Sequence, residues 1–280
     1  MNGFNGTLSH TTCGALVQSV SALAVLGDST SRIVDDAISW MTCMGYSRFE
    51  TEDGIVLSPP GPINGSVVWL HGLGETANHA QLQVEGLSFS DQLGVRFVLP
   101  LGELRHIGRN NRKLVRSWCD IARRQGDTIV EDESGIRQSA EILRNLIERE
   151  EGAGIPADRI VLAGFSQGGS IALHLGVRYP RPLAGIVLVS SFVALHGRVA
   201  VEASDANRST PILLCHGRDD EVVPRSIAER SRDFLMRLGY AVAWKDYAAQ
   251  HSMTVDLHRD LSSWIASRLA LPSATMQIND

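Results

Sequence analysis

The sequence predicts an α/β domain, a mostly parallel central sheet flanked by helices, and three observations carry that expectation. Short apolar runs recur at 66–70 (SVVWL), 95–99 (VRFVL), 184–190 (AGIVLVS) and 211–215 (PILLC). Runs that are apolar throughout, without alternation, suit strands covered on both faces. Helical patterns fall between them, and strands alternating with helices imply parallel pairing through crossovers. Finally, 159–170 (RIVLAGFSQGGS) passes from a strand pattern to a helical one through a serine flanked by glycines. At 280 residues and 44% hydrophobic, the chain suits one large domain or two small ones, with ample material for a core.

Residues 1–45 read differently from the rest, as a separate N-terminal extension. Val17, Val20, Leu23, Ala24 and Leu26, then Ile33, Ala37, Ile38, Trp40 and Met41, fall at helical spacing around Asp28-Ser29-Thr30. Two helices are expected there, with no chemistry attached. Residues 46–270 form the expected α/β domain. Within it, 54–57 reads as a first strand, followed by a breaker-rich turn at 59–62. The stretch 101–117, with Arg105, His106, Arg109, Arg112, Lys113 and Arg116, is too irregular for a core element and is expected as a surface loop. An amphipathic helix follows at 132–150, with Ile136, Ala140, Leu143, Leu146 and Ile147 on one stripe. After the strand at 160–162 comes a helix through Ile171, Ala172, Leu175 and Val177, stopped by Tyr179-Pro180. A helix at 226–238 closed by Gly239, a strand at 241–247 and a helix at 257–269 complete the domain, leaving 271–280 as a tail.

The chemistry centres on Gly164-Phe165-Ser166-Gln167-Gly168, a G-x-S-x-G run. Strand, glycine-flanked serine and helix together form the context of a nucleophile elbow. The turn is strained, and side chains at the two glycines would clash in it. It lifts the Ser166 hydroxyl off the sheet and aims the Gln167 backbone N–H at a developing oxyanion. A serine is a weak nucleophile, so it needs a base, and the base needs an orienter. In an α/β-hydrolase they follow the serine as acid, then histidine, on loops at strand ends. Asp219 and Asp220 follow the 211–215 strand, and position does not separate them; His251 follows the 241–247 strand. His71 and His216 end strands just before glycine and are expected to brace loops. A second oxyanion donor is expected from His71-Gly72-Leu73-Gly74, at the Leu73 N–H.

Taken together, these residues resemble the phospholipase/carboxylesterase family, the α/β-hydrolases that include acyl-protein thioesterases and small bacterial carboxylesterases. The matching segments are VVWLHGLGE (67–75), SWCDI (117–121), GIPADRIVLAGFSQGGSIAL (154–173), HGRDDEVVP (216–224) and QHS (250–252), in the family's order. The resemblance implies an α/β-hydrolase fold and a Ser-Asp-His hydrolase of carboxylic esters or thioesters that uses no metal or cofactor. It singles out Asp220 as the acid, Leu73 and Gln167 as the oxyanion donors, and Trp118 as a substrate contact. The family usually carries aspartate where Glu75 stands and proline where Glu221 stands. It is usually proline-rich and apolar before Ser117, where this chain is basic. Those departures bear on the acyl pocket and the substrate rather than on the triad.

Composition narrows the alternatives. A net charge of −5 offers no footprint for nucleic acid; the partner that the resemblance implies is a small ester or thioester. The four cysteines show no C-x-x-C pairing, which suits reduced thiols and a cytoplasmic setting. No apolar run reaches the ~18 residues of a membrane span. The run at 15–27 lacks a basic residue ahead of it, so a secretory signal is not expected. The resemblance implies a monomer or weak homodimer. The alternatives are a long-chain acyl-protein thioesterase or lysophospholipase, a silent binding protein on this fold, and a different reaction on it.

Overall fold

The computed structural model describes residues 45–89, 93–108, 113–121, 123–125 and 128–270. The helices expected in the N-terminal extension and the tail from 271 lie outside the described residues. The domain is built on an eight-stranded sheet. In chain order its strands are β1 (Ser47–Thr51), β2 (Gly54–Ser58), β3 (Gly65–Leu70), β4 (Val95–Pro100), β9 (Ile160–Phe165), β10 (Gly185–Val189), β11 (Ile212–Gly217) and β12 (Val242–Tyr247). Their spatial order is β1-β2-β4-β3-β9-β10-β11-β12. The first two junctions are antiparallel and the other five parallel, with Ser66 opposite Ile160 and Val189 opposite Cys215.

The apolar runs take this form because they are covered on both sides. Along β3, Val67 and Trp69 point to one face, where α1 (Ala77–Glu85) and α6 (Val255–Leu269) supply Ala80, Val84, Leu261 and Ile265. Val68 and Leu70 point to the other, against Ile136, Leu143 and Ile147 of α2 (Glu133–Gly152) and Ile171 and Leu175 of α3 (Gln167–Gly176). On that second face, Leu235 of α5 (Arg225–Arg237) packs with Ile186, Leu188, Ile212 and Leu214. The strands that carry the site are thus fixed from both layers. Removing a large side chain from such a core typically costs about 2–5 kcal/mol.

The stretch 101–117 is not the irregular loop expected. It holds an antiparallel pair, β5 (Glu103–Ile107) and β6 (Lys113–Ser117), with Arg105 opposite Val115 and His106 opposite Leu114. The pattern misleads because it is inverted. Leu104 and Leu114 face outward at 53% and 51% exposure, while Arg105 turns inward to Glu103 and Gln138. A second short pair, β7 (Arg123–Gln125) with β8 (Thr128–Val130), and a short helix α4 (His196–Glu202) were also not anticipated. Among the described residues, no helix is long and apolar enough to cross a membrane.

Candidate active site

Ser166 stands between β9 and α3 at φ 53°, ψ −121°, a left-handed conformation for a residue with a side chain. Such strain costs of order 1–3 kcal/mol and persists only where its surroundings over-determine it. Here they do. The Ser166 N–H donates to Val189 O at 2.8 Å, and its C=O accepts from Ser191 Oγ at 2.6 Å and from Gly169 N–H at 3.1 Å. The flanking glycines are required by space. A Cβ at Gly164 would lie 2.6 Å from Gly169 N, and one at Gly168 would overlap the Leu70 carbonyl.

The acid and base loops leave β11 and β12 and are tied together by Arg218 N–H to Tyr247 O and Asp219 N–H to Ala249 O. Asp219 is exposed and Asp220 is 6% exposed, which separates the two aspartates that position left open. Asp220 Oδ1 accepts the N–H groups of Val222 at 3.0 Å and Val223 at 2.8 Å. Its Oδ2 accepts from His251 Nδ1 at 2.7 Å. His216 donates Nε2–H to Val223 O and closes the same loop, bracing it as expected. The His251 ring packs on the Phe165 ring, with 4.7 Å between centroids. That puts the imidazole beside the residue preceding Ser166, with Nδ1 occupied by the carboxylate and Nε2 without a hydrogen-bond partner among the described residues.

The loop after β3 lies across the elbow from the histidine. His71 accepts the Gly102 N–H at Nε2 (2.9 Å), so its proton is on Nδ1, which donates to Gly72 O at 2.7 Å. Burial holds the ring neutral, bringing its pKa down from 6.5 to about 4. Three N–H groups of the loop are taken: Gly72 by Glu75 Oε2 (2.7 Å), Gly74 by Arg116 O (2.8 Å) and Glu75 by Gly72 O (3.2 Å). The Leu73 N–H has no acceptor among the described residues. Leu73 itself is 38% exposed.

Trp118 was expected at the substrate. The structure puts it beneath the loop, 1% exposed, with Nε1–H donated to His71 O at 2.8 Å and its ring 4.9 Å from that of His71. Its geometry is that of a brace. The Gln167 side chain, as distinct from its backbone N–H, holds this segment down. Its Oε1 accepts the Trp118 N–H at 2.9 Å and its Nε2 donates to Cys119 O at 2.8 Å. An indole sealed from solvent is hard to read from sequence, because Trp118 sits in a short run with no periodicity.

Against known proteins, residues 52–269 match the phospholipase/carboxylesterase family. Acyl-protein thioesterase 1 of Gibberella zeae is 35% identical over 212 residues, covering 73% of this chain and 90% of the relative. Among solved structures, Zea mays acyl-protein thioesterase 2 superposes with a TM-score of 0.67 at 26% identity, covering 76% of this chain and 97% of that one. Arabidopsis thaliana SOBER1 gives 0.68 at 25%, covering 73% and 99%.

Proposed function

The chain belongs to the phospholipase/carboxylesterase family and is a hydrolase of esters or thioesters, and on that premise we propose that it works through Ser166, Asp220 and His251 by an acyl-enzyme. The observation that carries this reading is the pinned Asp220–His251 pair beside a strained serine. His251 Nε2 takes the proton of Ser166 Oγ as the oxygen attacks the acyl carbon. Asp220 holds the proton of Nδ1 in place and stabilises the imidazolium. The N–H groups of Leu73 and Gln167 receive the oxyanion, each such donor being worth about 10²–10³ in rate. Collapse expels the alcohol or thiol, protonated by His251. Water activated by the same nitrogen then attacks the acyl-enzyme, releasing the carboxylic acid and restoring Ser166. In this reading Trp118 serves the loop rather than the substrate.

A long-chain thioester substrate is the second reading. Relatives named as acyl-protein thioesterases favour it, as do the exposed Leu104 and Leu114 on the pair whose Arg116 carbonyl holds the oxyanion loop. The reading places the enzyme in the cytoplasm, on the support of two free, buried cysteines, Cys119 and Cys215. Hydrolysis of p-nitrophenyl esters from acetate to palmitate, and of matched thioesters, tests both readings. Wild type is expected to be active and Ser166→Ala to fall by several decades, as loss of a triad serine does (~10⁶ in subtilisin). Equal rates for the two proteins would sink the elbow as the site. Activity on butyrate but not palmitate would sink the long-chain reading.

A further inference from the structure

We propose that Glu75, held by Gln83, is a positioning residue for the Leu73 oxyanion donor. This rests on the reading that Leu73 receives the oxyanion. Gly72 has no side chain to limit its backbone. Two peptide planes meet at its Cα, and the direction of the Leu73 N–H is settled only when both are fixed. The second plane, Gly72–Leu73, is held at its carbonyl by His71 Nδ1–H and the Glu75 N–H. The first, His71–Gly72, is held at its carbonyl by Trp118 Nε1–H and at its N–H by the Glu75 carboxylate. Glu75 therefore touches both planes, one through its backbone and one through its side chain.

The carboxylate is itself aimed. Gln83, on α1, donates Nε2–H to the same Glu75 Oε2 at 2.9 Å. Gln83 has one orientation available, because Trp69 Nε1–H can only donate and takes its Oε1 at 2.8 Å. Trp69 is fully buried in β3. The Gln83 backbone carbonyl in turn accepts from His258 Nε2 of α6 at 2.9 Å. A run of hydrogen bonds thus passes from the core tryptophan through Gln83 and Glu75 to the loop, and none of these side chains touches the reacting atoms. A Cβ at Gly72 would sit 3.1 Å from Glu75 Oε2, so the close approach also depends on the glycine.

The test is kinetic. Glu75→Ala is expected to lower kcat by about tenfold, a part of what a whole oxyanion donor supplies, with KM within about twofold. Affinity for a trifluoromethyl ketone, whose carbonyl oxygen becomes an oxyanion when Ser166 adds to its carbon, should fall in step with kcat/KM. Glu75→Gln keeps an acceptor oxygen and should recover most of kcat, a rescue that a loss of folding would not show. Should Glu75→Ala fail to fold, Gln83→Ala carries the same test with the same expected split. A kcat within about twofold of wild type, or a kcat loss with unchanged ketone affinity, overturns the proposal. Ser166→Ala run alongside separates the failures. If it is dead while Glu75→Ala stays fully active, only this proposal falls. If it is fully active, the elbow reading falls and this proposal with it.

Discussion

Replacing Asp220 by asparagine should disable the enzyme by imposing the wrong tautomer on His251, and the structure says which way the amide must turn. The two oxygens of Asp220 have different partners. Oδ1 accepts from two backbone N–H groups, those of Val222 and Val223, while Oδ2 faces His251 Nδ1. An asparagine side chain must leave its oxygen at the Oδ1 position, since an NH₂ there would meet two donors with no acceptor in reach. Its NH₂ then faces His251. The imidazole can only accept at Nδ1, so its proton moves to Nε2, the nitrogen that should take the proton of Ser166. The corresponding change in trypsin drops kcat by about 10⁴, or roughly 5.5 kcal/mol of barrier at 1.36 kcal/mol per decade. Steady-state hydrolysis of a p-nitrophenyl ester measures it directly. Asp219→Asn is the internal control: that side chain is exposed, and the activity should stay within about twofold of wild type. If Asp220→Asn keeps more than about a tenth of wild-type kcat, or if Asp219→Asn is the damaged variant, the tautomer argument fails.

Two further outcomes concern stability. Gly168→Ala should lower the melting temperature by about 5–10 °C, from about 2–3 kcal/mol of overpacking, because its Cβ would overlap the Leu70 carbonyl and lie 2.6 Å from His71 O. Gly197→Ala on α4, where the added Cβ meets nothing within 4 Å, should leave the temperature unchanged or slightly raised, and scanning fluorimetry distinguishes the pair. Burial raises the Glu85 carboxyl from 4.5 to about 7, partly offset by Gln81 and Arg48. A raised carboxylate pKa means that the fold favours the neutral acid, so Glu85 destabilises the protein above about pH 7, and that penalty fades as pH falls toward 4.5. Glu85→Gln should therefore stabilise the protein by about 2 kcal/mol at pH 8 and by little near pH 4.5, read from urea midpoints. An equal shift at both values would refute the assignment.

The sequence made the parallel strands and the elbow legible because both leave marks that do not depend on partners. A strand covered on both faces must read apolar throughout, and a serine pressed between two backbones must be flanked by glycine. That Asp220 and His251 come together was legible by chain order, although choosing Asp220 over Asp219 needed the family resemblance; in the structure Asp220 is the buried one of the two and accepts two backbone N–H groups. Elements with small or mixed contact faces were harder to see. Helix α1 buries Ala77, Ala80, Gln81 and Val84, too slight a stripe to stand out. The β5–β6 pair turns its leucines to solvent, the reverse of what alternation teaches. The brace roles of Trp118, Gln83 and the Gln167 side chain depend on hydrogen bonds between distant segments, and no local pattern records them.

The sheet order also has a consequence in time. The residues proposed for catalysis hang from the ends of β3, β9, β11 and β12, strands brought into one sheet only through long crossovers. Parallel pairings of this kind close large loops before any contact rewards them, so they form slowly. Helices and local turns can be complete while the serine, the imidazole and the oxyanion donors are still on separate pieces of chain. Turnover should thus be the last property a refolding molecule regains, later than far-ultraviolet dichroism, and so the strictest gauge that the whole sheet has closed.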